Sequence, residues 1–468
     1  MGLLMARLEG HEGELMGSLS EVLKQLALTI KKRIDEGVSS GTLKPEVEFY
    51  RRWKVDKFYV SDLGNIESNA HVENLTRPSW RGAAKNVNES FEKSSEYTSA
   101  LSELNTIFGE NGNIARQFSS FVTRIIARYL QDSEFDAIEI DKSVTIFLRS
   151  LSGMPVKYGA NVELDGIMIQ PEKIDIADGV TIRPSRAEDL EKEVPEYPFS
   201  AAPYFQHPLA ILNIEFSGTQ SVEIQRRVEH AVAVFRLFKV GSVKYHSYQM
   251  YSDSITDLFA HGTISSGGSS SALEKYSITR EDVPRLKNFW QKISDRVPKS
   301  FYDLAVTKAD YTTIAYNRYS DSLTQNGILE RRIANAMMGL EALFFKSDGE
   351  KEELVYRLRM RASKLLGLLG YDPYEIRERI NDAYGIRSIF MHGGLLDYRK
   401  KKKLESKYKN IKYLLTYALD YLRISIIVNF LVRKEKDEFI DLIDDSFIDM
   451  KAEEQLVSLL SEIKAFIK

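Results

Sequence analysis

The chain of 468 residues contains no cysteine. That excludes disulfides, thiolate metal sites and cysteine nucleophiles, and it fits a protein of the reducing cytoplasm. Histidine is scarce too, with seven in all. An excess of basic charge is missing: 64 Lys and Arg face 67 Asp and Glu, a net charge of −3, so any nucleic-acid surface has to be local. No long apolar run is present. The longest, Tyr421 to Val432, is interrupted by Arg423 and Asn429 and is expected to be a buried helix rather than a membrane span. The N-terminus carries Arg7 and Glu9 early, so no signal peptide is expected. The phosphate-loop pattern GxxxxGK[ST] does not occur. His207, His230 and His246 are spaced by 23 and 16 residues, which fits no compact metal signature, so neither a metal nor a cofactor is expected.

What is present is ordinary for a globular protein, 43% apolar and 28% charged, and the length points to two or three domains. The pattern suggests a multidomain α+β protein. Residues 1–135 read as mainly helical, with Leu19, Val22, Leu23, Leu26 and Ile30 at helical spacing. Residues 50–97 have too weak a period to assign. From about 136 apolar and polar residues alternate over 137–151 and 156–182, with Asp165-Gly166 and Asp178-Gly179 as hairpin turns. Glu139, Glu163 and Asp165 then fall on exposed strand faces. A strand at 210–216, a helix at 221–238 and a strand at 243–251 complete an α+β domain, 136–261, assigned a sensing or regulatory role. A Gly/Ser-rich linker, 262–275, follows. Residues 276–468 read as a helical bundle, with helices at 280–297, 311–323, 328–345, 350–369, 373–392 and 404–432 and a short final pair from 435. Asp372-Pro373 supplies a start signal, and Gly393-Gly394 a stop.

The segment Tyr384-Gly-Ile-Arg-Ser-Ile-Phe-Met-His-Gly-Gly394 holds the densest chemistry. His392 is the only histidine after His261. Ile376, Ile380, Ala383, Arg387 and Phe390/Met391 form one helical stripe, apolar except for Arg387. A guanidinium stays protonated, so one buried in that stripe needs a counter-charge or must face a cleft or another subunit. Glu341, beside the apolar stripe of Ile333, Met337, Leu340 and Phe344, is the candidate counter-charge. His392 follows Arg387 by about 140° around an ideal helix, so the glycine stop has to place it at the helix end. An imidazole and a fixed guanidinium suit proton transfer from a ribose 2′-hydroxyl and stabilisation of a charged phosphorus centre, with Ser388 adding a hydrogen bond. One histidine per chain supplies a base or an acid but not both, so the site is expected at a two-fold interface. Nine Lys and Arg against two Asp and Glu lie between Arg387 and Lys412, and Arg399, Lys400, Lys401, Lys402 and Lys403 are the candidate phosphate contacts.

The C-terminal region resembles the HEPN superfamily, and within it the Apea-like group. The matching residues are Leu340-Glu-Ala-Leu343, Arg357-Leu-Arg-Met-Arg-Ala362 and Tyr384 with Arg387-Ser388 and His392-Gly393. The Arg-x4-His spacing falls within the family's pattern, and Ile314-Ala-Tyr-Asn-Arg-Tyr319 looks like the helix that precedes the bundle. The likeness spans about 300–432. It implies an all-helical bundle that dimerises around the motif and, in active members, metal-independent endoribonuclease activity in defence, stress or toxin systems. Carried over by position, Arg387 and His392 are catalytic and Ser388 supports them, while Glu341, Tyr384, Asn317 and Arg318 orient. The implied partners are RNA and a second copy of the chain, with no membrane and with an activating ligand or protein of unknown kind. Some members of the superfamily bind RNA or nucleotides without catalysis, and that is the alternative reading.

Overall fold

The structure is a computed structural model, and it describes residues 12–61, 66–110, 112–131, 135–193, 208–254, 261–265, 274–303, 305–325, 327–346 and 353–467. The chain begins with helix α1 (Glu12–Ser39), a hairpin of β1 (Glu46–Val60) and β2 (Ile66–Ser79), and helices α2 (Arg81–Phe91), α3 (Ser95–Phe108), α4 (Gly112–Gln131) and α5 (Ala137–Leu151). The helices share one core. Leu19, Leu23, Ile30 and Ile34 of α1 meet Phe118 and Phe121 of α4 and Phe147 of α5, and Phe121 stacks on Phe147 with centroids 4.4 Å apart.

Two expectations change here. The unassigned stretch contains the β1–β2 ribbon, which has a bulge between Val55 and Lys57. The ribbon pairs with no other sheet, and Val55 is its one buried hydrophobic residue among those described. Neither face must be apolar, which explains the weak alternation. Residues 137–151, read as alternating, are helical. Asp136 caps the helix by accepting from the backbone of Ile138 and Glu139, and Ile140, Val144, Phe147 and Leu148 are its buried face. The helical body therefore extends to Leu151, beyond the expected boundary at 135.

The next elements are β3 (Val156–Asp165), β4 (Ile167–Ile169), β5 (Ile174–Ala177), β6 (Val180–Pro184), β7 (Ala210–Gly218), α6 (Val222–Phe238), β8 (Lys244–Ser252), β9 (Gly262–Ser265) and β10 (Tyr276–Ile278). Six of the strands form an antiparallel sheet in the order β5-β6-β7-β3-β8-β9. Asp178-Gly179 turns the β5–β6 hairpin as expected. Asp165-Gly166 does not turn a hairpin. There the chain leaves the sheet, and β4 pairs in parallel with β10. Gly166 has φ +83°, and a Cβ on it would lie 2.6 Å from the Ser242 carbonyl oxygen. Glu163 and Asp165 are buried rather than exposed, and Glu139 sits in the first turn of α5. Part of the expected linker is β9, an edge strand on β8, while residues 266–273 lie outside the described residues.

The C-terminal helices are α7 (Asp282–Ile293), α8 (Tyr311–Thr324), α9 (Leu329–Phe344), α10 (Leu354–Leu368), α11 (Pro373–Met391), α12 (Tyr398–Tyr408), α13 (Ile411–Val432), α14 (Lys436–Asp445) and α15 (Met450–Ile467). The helix expected over 404–432 is two helices. Lys409 takes φ +61°, and Asn410 caps α13 through the Lys412 amide. By length and composition α13 is the one described helix able to cross a membrane, but 72% of its apolar window is buried inside the protein. Its Arg423 forks onto Asp420 at 2.6 and 3.0 Å and donates to the carbonyls of Leu237 and Phe238 at the end of α6. One hydrophobic cluster runs from the sheet through α6 and α7 into the bundle, so the α+β and helical parts share a core.

Candidate functional site at the end of helix α11

Helix α11 starts where the sequence marks a start. Asp372 accepts from the amides of Tyr374 and Glu375, ahead of Pro373 in the first turn. It stops where the glycines stand. His392 is the C-cap residue, Gly393 has φ +77°, and Gly393 and Gly394 donate back to the carbonyls of Phe390 and Ile389. His392 is exposed at this end, beside exposed Met391.

The buried face of α11 is Ile376, Ile380, Ala383 and Ile386. Ile386 takes the inner position that the sequence pattern assigned to Arg387, and Arg387 lies at its rim, half-buried, with its side chain 24% exposed. Phe390 is half-buried and Met391 exposed, so the apolar stripe ends before His392. Glu341, on α9, is the counter-charge: Arg387 Nη2 donates to its Oε2 at 3.0 Å. The guanidinium carbon lies 5.4 Å from the centre of the Tyr384 ring. Burial pushes the Glu341 carboxyl up from its ordinary value, while Arg387 pulls the other way. Burial also raises the Tyr384 phenol, and the nearby Glu341 adds to that rise. Arg387 Nε is buried with no hydrogen-bond partner among the described residues. The pair is thus a single hydrogen bond rather than a bidentate fork, which leaves donor capacity on the guanidinium.

Ser388 is half-buried, and its carbonyl accepts from the His392 amide. Asn317 and Arg318 are exposed on α8, where Arg318 donates to Asn335 at 3.4 Å. Among the described contacts nothing joins either residue to Arg387, Glu341 or His392, so the structure does not bring them into this group.

Arg399, Lys400, Lys401, Lys402 and Lys403 form the first turns of α12, and all are exposed. Asp397 caps that helix by accepting from the Lys400 amide. Two residues that sequence reasoning missed fasten α12 to α11. Asp382 accepts from Lys407 and Tyr408, each at 2.6 Å, and Glu378 pairs with Lys407 at 2.7 Å. Their signal was present as two acidic residues four apart on the outer face of α11, opposite a basic segment. Arg361, within the segment that matched by sequence, is also structural. It forks onto Asp444 and donates to the Phe344 carbonyl, tying α10 to α14 and to the end of α9. The three histidines judged unrelated stay apart where they are described: His230 lies on α6 and His246 on β8, while His207 falls outside the described residues. No group of three His, Asp or Glu residues able to hold a metal occurs among the described residues.

Comparison with protein families, curated proteins and solved structures returned no match. What the α11 site can do therefore follows from its chemistry: an exposed imidazole at a helix end, a paired guanidinium five residues earlier, and a basic helix fastened alongside.

Proposed function

We propose that the chain is a metal-independent endoribonuclease effector of the HEPN type, acting in defence, toxin or stress systems. On this reading it cuts RNA at an Arg387/His392 site shared across a homodimer, and the parts before 276 regulate it. The observation that carries the proposal is the end of α11, where His392 is exposed on a glycine-closed cap five residues after Arg387, which spends a single hydrogen bond on Glu341. The His392 imidazole takes the proton of a ribose 2′-hydroxyl. The 2′-oxygen forms a bond to the adjacent phosphorus, and the bond from phosphorus to the 5′-oxygen breaks. The second protomer's histidine returns a proton to that 5′-oxygen. The Arg387 guanidinium stabilises the added negative charge on the phosphoryl oxygens. The products are a 2′,3′-cyclic phosphate and a 5′-hydroxyl. Arg399 to Lys403 hold the RNA backbone, and Glu341 with Tyr384 orients Arg387.

The test is an RNase assay on purified protein in EDTA. Wild type is expected to cleave single-stranded RNA to 2′,3′-cyclic phosphate ends, and His392→Ala to lose at least about a hundredfold in rate. Cleavage that persists in His392→Ala, or that requires added Mg²⁺, would overturn the proposal. The second reading, a non-catalytic RNA-binding or nucleotide-binding and dimerisation module, draws on the Arg387–Glu341 pair itself, which joins α11 to α9. It expects no RNA loss, and Arg387→Ala to weaken folding or dimerisation.

A further inference from the structure

The six-stranded sheet has one face packed under α6, and among the described residues its other face carries an ordered polar row, bordered by residues 188–193. Strand register sets Thr181, Asn213, Asn161, Gln249 and Thr263 side by side across five strands. An open antiparallel face is ordinarily a solvated mixture of charged side chains, whereas these five positions are neutral, with Asp175 continuing the row beside Thr181 on β5, and their centre is wired. Asn213 Nδ2 donates both of its protons, to Asn161 Oδ1 at 3.0 Å and to the Tyr251 hydroxyl at 2.7 Å. Tyr251 donates to Glu215 at 2.9 Å, and Lys157 pairs with Glu215 at 3.0 Å. The end of the Tyr251 ring packs against Gly159, where a Cβ would come within 2.3 Å of its Cζ. Among the described contacts the network fixes both amides and leaves Asn161 Nδ2 as a donor next to Asn213 Oδ1 as an acceptor.

The charges beside this row are spent on each other. Arg183 forks onto Asp189 at 2.7 and 2.6 Å, Lys192 pairs with Glu163, and Glu191 takes Arg52 and Lys54, each at 3.0 Å. At the β5–β6 end, among the described residues two cations are held by exposed pairs: Lys173 on Asp175 at 3.0 Å and Arg186 on Glu172 at 3.5 Å. Exposed pairs of this kind are worth little and exchange readily for a stronger anion. A cavity of about 760 Å³ joins Lys173 and Arg186 to Asn161 and Asn213, a volume in the range of small-ligand sites.

We propose that this face is a nucleotide site. The donor-acceptor edge of a base pairs with Asn161 and Asn213 next to the Tyr251 ring, and the phosphate replaces the carboxylate partners of Lys173 and Arg186. Every base presents a donor next to an acceptor, and a side-chain amide is the natural complement of such an edge. The proposal stands independently of the Arg387/His392 reading, since a protein without RNase activity can still bind a nucleotide here.

Calorimetric titration of the full chain with AMP, CMP, GMP and UMP, their nucleosides and inorganic phosphate tests it. At least one nucleotide is expected to bind more tightly than its own nucleoside and than phosphate. Asn161→Leu is expected to weaken that nucleotide on the order of tenfold, and Lys173→Ala with Arg186→Ala to bring it to the level of the nucleoside. Asn161 is exposed, so this variant tests the edge without disturbing a core. No binding of any nucleotide at millimolar concentration, phosphate binding as tightly as the nucleotide, or undiminished binding by Asn161→Leu would each overturn it.

Discussion

Arg387 and Glu341 illustrate what one ion pair can and cannot do at a half-buried site. A single hydrogen bond compensates the guanidinium enough to keep it at the rim of an apolar face, yet the carboxyl remains pushed up by burial. The partner was legible because Glu341 borders a stripe of apolar residues at helical spacing. The depth of Arg387 was not, because neighbouring positions 386 and 387 fit the same stripe and only packing selects Ile386. His230 makes a separate prediction. Its Nε2 donates to the Ser294 carbonyl at 2.9 Å, its ring meets Tyr302 edge-on, and burial holds it below the ordinary histidine range. The unfolded chain therefore takes up this proton first as pH falls. The contribution is present above the ordinary value and is lost as pH drops towards the lower folded one. His230→Gln is expected to flatten the fall in urea midpoint between about pH 7.5 and 5.5. An unchanged slope would show that other groups carry the acid sensitivity.

Among the elements, α13 explains most of the architecture. It is buried on nearly every side, and its Arg423 is fully enclosed, with Asp420 holding the guanidinium protonated against the cost of burial. The two α6 carbonyls that accept from it stand at a helix end, where the helix itself supplies no donor. Arg423→Met is expected to cost roughly 3–5 kcal/mol, because it leaves Asp420 and both carbonyls uncompensated. Urea denaturation reads this, and adding Asp420→Asn should restore part of the loss. If Arg423→Met alone is neutral, the staple does not hold the sheet to the bundle. Element boundaries were legible where a cap or a stop carries them, as at Asp372-Pro373 and Gly393-Gly394. They were missed where a non-glycine residue takes a left-handed conformation, as Lys409 does between α12 and α13. Residues 137–151 were misread because a short alternation at Ile138 and Ile140 masked the helical spacing of Ile140, Val144, Phe147 and Leu148.

For the whole molecule, the proposed nuclease depends on two copies of α11 meeting. His392, Met391, Leu395 and Tyr398 are exposed together around the end of that helix, and each chain contributes one imidazole. Light scattering after size exclusion is expected to give twice the 53.5 kDa chain mass, with specific RNase activity falling on dilution as the dimer dissociates. Constant specific activity in a sample shown to be monomeric would separate the chemistry from dimerisation.

The sequence by itself determined the helices of the C-terminal half apart from the break at Lys409, the strands and helix between 210 and 252, the Arg387–Glu341 partnership and the glycine-closed end at His392. Each of these depends on local spacing, caps and turn residues, which neighbours in the chain encode. Only the tertiary structure decided that the sheet and the bundle share one core through Arg423, that Asp382 and Glu378 hold the basic helix, and that five polar residues from five strands form one row. Those arrangements join residues tens to hundreds of positions apart, and their energies come from burial and from hydrogen bonds that exist only after the chain has packed.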